Sequence, residues 1–192
     1  MSLRFGILGL LNYSSMTGYD LKKVFDASID FFWHAQTSQI YRELNVMEEE
    51  GWLISHVEIQ TDKPNKRIYE ITDKGREALM EWIASAPKED RRPKLPTLMR
   101  MFFAGERSVE ENIAFFEDYI KRSQAWLDKM DKIDLDLKYY TDRFSGSPRP
   151  LYWEMTLDYG IQLMQMNRDW AKKNIEILKK LPAAKDKAEA TD

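Results

Sequence analysis

Apolar residues recur along the chain with two different periods, and the switches between them mark out its elements. In "LRFGILGLL", Leu3, Ile7, Leu10 and Leu11 share one helical face, and "NYSSMTG" breaks the run. "TGYDLKKVFDAS" predicts a second helix: Thr17 is the N-cap, Asp20 completes an Asp version of the capping box, and Leu21, Val24 and Phe25 face inward. After "FFWHA", Ile40, Leu44 and Met47 form an i, i+4, i+7 stripe that ends at Gly51, which predicts a third helix. The period then falls to two. "WLISHVEIQ" and "KRIYEIT" are β-branched and aromatic runs separated by "TDKPN", whose Asp, Pro and Asn are turn formers, so together they predict a hairpin. "TDKGREALMEWIAS" returns to helical spacing, with Thr72 as cap and Ala78, Leu79, Trp82 and Ile83 on the inner side.

A charged stretch with three prolines, "APKEDRRPKLP", interrupts this pattern and reads as an exposed connector. Beyond it the helices are longer. Ile113, Phe116, Ile120, Leu127, Met130 and Leu137 form a row of three- and four-residue steps, with Ser123 and Asp134 in its polar gaps. Leu157, Ile161, Met164, Ala171, Ile175 and Leu178 form a second such row, interrupted by Arg168, and "RFSGSPRP" makes the turn between them. A further stripe of Leu163, Met166, Trp170 and Ile177 lies beside the second row. Apolar coverage that wide needs more neighbours than a two-helix hairpin supplies, so a partner is expected. The expected organisation is a domain at 1–86, a linker at 87–97, a helical domain at 98–181 and a polar, disordered tail at 182–192.

Composition narrows the chemistry. With 192 residues, 43% of them hydrophobic, the chain can bury a core. No apolar run is long enough to span a membrane, and the N-terminus lacks the features of a secretory signal, so the expected location is the cytoplasm. There is no cysteine, which excludes disulfides and thiolate chemistry. His34 and His56 are the only histidines, and neither a metal-ligand spacing nor a phosphate-cradling glycine loop is present. We therefore expect no enzyme, no metal and no cofactor. Residues 1–86 carry nine Lys and Arg against 13 Asp and Glu, so any binding to a polyanion must rest on a local cluster of cations.

Three helices, a hairpin and a polar outer face on helix three together predict a mainly α fold with a small β-hairpin. This is a winged helix-turn-helix followed by a helical dimerisation domain. With Ile40 inward, Ser38, Arg42 and Asn45 face out, flanked by Gln39 and Tyr41. These groups can hydrogen-bond to base edges or phosphates. Lys63, Asn65, Lys66 and Arg67 at the hairpin tip suit phosphate or minor-groove contact. The plainer alternatives are a solvated amphipathic face for helix three, a boundary role for Tyr41 and a solubilising turn for the tip cations. Arg4, Lys22 and Lys23 read as surface charges.

"GYDLKK", "SQIYRELNVMEEEGWL" and "KRIYEITDKGREAL" resemble the PadR family of transcriptional regulators, and the second half resembles its longer, AphA-like subgroup with a helical dimerisation domain. The resemblance extends to about residue 181. It implies a homodimer formed through the C-terminal helices, binding double-stranded DNA at a palindromic operator and usually acting as a repressor. Tyr41 matches the family's characteristic tyrosine, and Arg42 stands where many members have proline. The resemblance also implies a candidate effector, a small aromatic molecule held among Trp126, Tyr139, Tyr140, Tyr152, Trp153, Tyr159 and Trp170. The plainer reading of the same rings is a dimer core, since aromatic stripes at helical spacing are more often core. A third reading is a winged-helix adapter that binds protein, favoured by the acidic surface.

Overall fold

The computed structural model describes residues 2–61, 65–85, 94–143 and 146–181. The chain divides into two compact units, Met1–Arg91 and Arg92–Asp192. In the first, the elements run α1 (Ser2–Leu11), β1 (Met16–Thr17), α2 (Gly18–Ser28), α3 (Thr37–Glu49), β2 (Leu53–Glu58), β3 (Lys66–Ile71) and α4 (Asp73–Ala84). The helical periodicity of the sequence places all four helices. Ile7, Leu8, Leu21, Phe25, Ile40, Leu44 and Met47 are sealed from solvent in one core, capped by Leu53, Tyr69 and Ile71 of the sheet. Burying each such side chain is worth about 1.5–3 kcal/mol.

The two-stranded hairpin of the sequence reading is one strand short. Met16 and Thr17 pair with Tyr69 and Ile68, so the sheet has three antiparallel strands in the order β1-β3-β2. The stretch that breaks the first helix therefore does two jobs. Thr17 ends β1 and also caps α2: its Oγ1 accepts from the Asp20 amide at 3.1 Å and donates to Asp20 Oδ2 at 2.7 Å. A two-residue strand is too short to show a period of two, which is why the pattern misses it.

The end of α3 is locked to the start of α4. Gly51 takes φ +74°, a backbone conformation that favours glycine, and the Gly51 and Trp52 amides donate to the carbonyls of Glu48 and Met47 at 3.0 and 2.8 Å. This is a Schellman closure, as the position of Gly51 after the apolar stripe predicts. The next three carbonyls are also taken up: Lys74 Nζ donates to Glu50 O, Thr72 Oγ1 to Gly51 O and the Thr72 amide to Trp52 O. Thr72 caps α4 by accepting from the Gly75 amide at 3.1 Å. One expectation for α4 fails. Leu79 is buried, but Trp82 and Ile83 are exposed, because the end of the helix runs past the core; the Trp82 ring stacks on Phe5 at 4.9 Å.

The second unit contains α5 (Pro96–Phe102), a single 3-10 turn at Ala104–Glu106, α6 (Val109–Arg143) and α7 (Arg149–Leu178). Helix α5 starts inside the stretch read as connector, with Pro96 in its first turn, where a missing amide costs nothing. Ser108 and Glu111 cap α6 reciprocally: the Glu111 amide donates to Ser108 Oγ and the Ser108 amide to Glu111 Oε2. That bond from the Ser108 amide, then the Ser108 hydroxyl and Arg107, hold the Glu111 carboxyl below its ordinary range. The inner rows meet as the spacing predicts. Phe116, Ala171 and Ile175 are buried together, and Phe116 packs edge-on to Trp170 at 5.2 Å. Ser123 and Met130 are buried as well, while the side chains at Asp134 and Leu137 lie outside the described residues. Arg168, the break in the second row, donates to Gln124 Oε1 at 3.0 Å and so ties α7 to α6. The connector residues 86–93 and the tail at 182–192 also lie outside the described residues.

Gly75 gives a direct test of the α3–α4 lock. Alanine in a helix normally adds up to about 1 kcal/mol over glycine. A Cβ at Gly75 would lie 2.3 Å from the backbone oxygen of Trp52. We expect Gly75→Ala to lower the urea unfolding midpoint, and a rise would contradict this packing.

Candidate nucleic-acid interface

Helix α3 presents two unlike faces. Ile40, Leu44 and Met47 are completely buried, and Ser38, Gln39, Tyr41, Arg42 and Asn45 are all exposed. The exposed residues occupy a strip over the first two turns, in reach of anything lying along the helix. Gln39 has a second role: its Oε1 accepts from the Gln36 amide at 2.8 Å and closes the helix start. Its carbonyl is thereby used locally, and its NH₂ group is the part left to face outward.

Tyr41 is 39% exposed. Its ring lies against the first residue of α2. A Cβ built on Gly18 would meet the Tyr41 ring and hydroxyl at 2.7–2.9 Å. Gly18 thus leaves the space that the ring fills. Tyr41 also lies close enough to Tyr69 to influence its ionisation. The Tyr69 phenol is pushed up chiefly by burial, partly opposed by Arg67 and reinforced by Glu48 and Tyr41. Tyr41 therefore sits where α2, α3 and the sheet converge.

At the hairpin the four candidates separate. Asn65 Oδ1 accepts from the Gln60 amide at 3.2 Å, so its side chain closes the base of the turn. Lys63 lies outside the described residues. Lys66 and Arg67 are both exposed, but successive strand residues point to opposite faces. Arg67 shares the face of Tyr69 and Ile71, which is the core side. Its Nη2 reaches Glu48 Oε2 at 2.5 Å, its Nε donates to Ser55 Oγ at 2.8 Å, and its guanidinium lies 5.3 Å from the centre of the Tyr69 ring. Lys66 is on the other face. The alternation in "KRIYEI" carried this information, and grouping the two cations by nearness in sequence overlooked it.

Ion pairs take up part of the acidic charge of the first unit. Arg4, taken as a surface charge, is a bridge: it pairs with Glu43 at 3.4 Å and Glu50 at 3.2 Å and lies over the Trp52 ring. Glu48 is paired with Arg67. Glu43 and Glu48 of α3 and its C-cap Glu50 are thus paired, while Glu49 is exposed on the strip of Ser38, Arg42 and Asn45. Lys22 is paired with Asp26, and Lys23 is exposed. In the second unit, the aromatic positions proposed to surround an effector divide. Trp170 packs on Phe116 and Tyr119, Tyr152 and Tyr159 are exposed, and the side chains of Tyr139 and Tyr140 lie outside the described residues. Among the described residues no group of side chains could hold a metal ion, and no helix is long and apolar enough to cross a membrane.

A three-helix core, a helix with a polar outer strip and a three-stranded sheet ending in a hairpin define the first unit as a winged helix-turn-helix, here joined to a chain segment that forms long helices. Comparison with known proteins agrees. Residues 7–81 match the Transcriptional regulator PadR-like family, and residues 93–179 match the family described as Virulence activator alpha C-term. The chain belongs to the PadR-like family of transcriptional regulators, whose members are not enzymes. It is 29% identical over 162 residues to the Negative transcriptional regulator PadR of Bacillus subtilis, covering 84% of this chain and 85% of that one. The crystal structure of that protein in complex with operator DNA superposes with a TM-score of 0.76 at 25% identity, covering 93% of this chain and 99% of the other. The PadR-like regulator BC1756 from Bacillus cereus gives 0.74 at 30% identity, covering 93% and 96%. The Vibrio cholerae virulence activator AphA gives 0.67 at 26% identity, covering 92% and 98%.

The Gly18–Tyr41 contact can be tested without any ligand. Gly18→Ala should lower the unfolding midpoint by forcing the ring aside, and adding Tyr41→Ala should recover part of the loss. If the two substitutions are simply additive in urea titrations, the contact is not the reason for the glycine.

Proposed function

We propose that the chain is a homodimeric, sequence-specific DNA-binding repressor that inserts α3 of each protomer into successive major grooves of a roughly palindromic operator. The observation that carries this reading is the split of α3: Ile40, Leu44 and Met47 are wholly buried, directly behind exposed Ser38, Tyr41, Arg42 and Asn45. Arg can pair with guanine and Asn with adenine, while Ser and Tyr suit phosphate or a base edge. Lys66 and Lys63 would add phosphate contacts from the wing, with Asn65 shaping the turn that carries them. Gln39 has only its NH₂ group to offer. The operator complex of the Bacillus subtilis relative supports DNA as the partner, and that relative's role as a negative regulator supports repression.

A second copy of the chain is the partner that α7 calls for. Tyr152, Met155, Tyr159 and Met166 are each at least half exposed and, with Leu163, follow steps of three and four residues along this 30-residue helix, and Ile177, eleven residues further on, is half exposed too. Such a stripe continues for many turns beside the row that packs on α6. It has the form of one side of a helix–helix seam. A dimer built there would fix the separation of the two recognition helices.

Two measurements test this reading. The wild-type chain should select a duplex from a random-sequence library, and Tyr41→Ala with Arg42→Ala should weaken binding to that duplex roughly 10–100-fold, a few kcal/mol, while sedimentation still shows a dimer. Failure to select any duplex would overturn the DNA reading. Separately, Tyr159→Glu with Met166→Glu should yield monomers in sedimentation, with circular dichroism unchanged. A persisting dimer would move the seam elsewhere.

A further inference from the structure

Arg67 has the position of a wing cation and the bonding of a buttress. Its guanidinium meets the Glu48 carboxylate at 2.5 Å and Ser55 Oγ at 2.8 Å, and Ser55 Oγ in turn donates to Glu48 Oε1 at 2.6 Å. Three elements are closed into one ring of hydrogen bonds: Glu48 from the last turn of α3, Ser55 from β2 and Arg67 from β3. Ser55 and Arg67 flank the β2–β3 ladder, where Ser55 pairs with Tyr69 and Val57 with Arg67. The guanidinium also covers the buried Tyr69 ring, whose strand neighbours include Met16 of β1. Beyond this ring the hairpin extends to Glu58 and Lys66 without further support from α3 among the contacts described.

We propose that Glu48 and Arg67 are positioning residues that set the angle of the wing against the recognition helix, so that Arg67 acts as an internal brace and leaves phosphate contact to the lysines of the tip. This inference rests on the DNA-binding reading above. The physical reason is geometric. A hairpin held only by its own ladder can twist and swing about its base, whereas a charge-assisted ring with two bonds to a planar guanidinium restricts that motion. Lys66 directly precedes Arg67 at the tip end of β3, so the brace that holds Arg67 also fixes the strand that carries Lys66. Fixing the angle in the free protein removes part of the ordering cost from the binding step.

The proposal makes an unusual prediction of sign. Replacing a carboxylate near a bound polyanion ordinarily strengthens binding, because it removes repulsion. A brace predicts the reverse: Glu48→Gln should weaken binding to the selected duplex, by about tenfold. Arg67→Met, which keeps the stem over Tyr69, should weaken it to a similar extent, and the double variant should be no worse than either single one. The slope of log affinity against log salt should be unchanged in both, whereas loss of an arginine that contacts phosphate would reduce it by about one. Lys66→Ala serves as the control that does reduce the slope. Amide hydrogen exchange on the intact, DNA-free chain gives a second readout: β2 and β3 amides should exchange faster in Glu48→Gln and Arg67→Met, with those of α1 and α2 unchanged.

If Glu48→Gln binds as tightly as wild type or tighter, or if Arg67→Met lowers the salt slope, the brace is overturned and Arg67 is a phosphate contact. Weaker binding accompanied by faster exchange throughout the unit would assign the pair to general stability and likewise overturn it. Should the wild-type chain select no duplex, the DNA reading fails and this proposal fails with it. Selection by wild type with no effect of either substitution sinks the proposal alone.

Discussion

The winged-helix unit depends on the seam where Ile40, Leu44 and Met47 of α3 meet Ile7, Leu8 and Leu11 of α1 and the apolar face of the sheet. Those three side chains occupy one stripe of a 13-residue helix, and their complete burial decides which way every other residue of the helix points. Because the stripe cannot rotate outward without exposing three large apolar side chains, Ser38, Arg42 and Asn45 cannot rotate inward. The outer surface of α3 is therefore specified by its inner one. Truncating one core residue would do more than lower stability; it would loosen the orientation of the face on the opposite side.

Around this seam, polar contacts fix the ends of the elements. Thr17 joins β1 to α2, Gly51 and Thr72 join α3 to α4, and Gln39 closes the start of α3. Arg4 and Arg67 approach α3 from different elements and pair with Glu43, Glu50 and Glu48. Partly exposed ion pairs of this kind add little to stability. Their consequence here is electrostatic and geometric: Glu43, Glu48 and Glu50 are each matched by a cation, while Glu49 stays exposed beside Asn45 on the outer strip of α3. Arg42 is then the one cation in the sequence of α3. Attraction in such a protein must come from few cations, and its recognition depends more than usual on accurate placement.

The second unit follows a simpler rule. Two long helices share a row of apolar residues, with Phe116, Trp170, Ala171 and Ile175 at one end and the Arg168–Gln124 bond where the row is interrupted. Helix α7 also carries Tyr152, Met155, Tyr159 and Met166 on a second stripe, each at least half exposed. One stripe packs on α6 and the other is exposed, so the sequence of this helix looks apolar around much of its circumference.

Local chemistry along the chain was enough to determine the helices, the turn at Gly51, the caps at Thr17 and Thr72, the hairpin and the polar strip of α3. Each depends on a fixed period or on a neighbour within a few residues. The alternation in "KRIYEI" also determined that Lys66 and Arg67 face opposite ways, although it did not say which face meets a partner. Tertiary structure alone decided what lies more than one element away: β1 on the sheet, Gly18 beneath the Tyr41 ring, Arg4 between Glu43 and Glu50, and Arg67 between Glu48 and Ser55. Trp82 and Ile83 show the limit clearly, since periodicity aligned them with Leu79 but could not show where the core ends. A period records direction around a single axis. Whether a cation at a given direction meets solvent, a phosphate or a carboxylate from another element depends on how those axes pack.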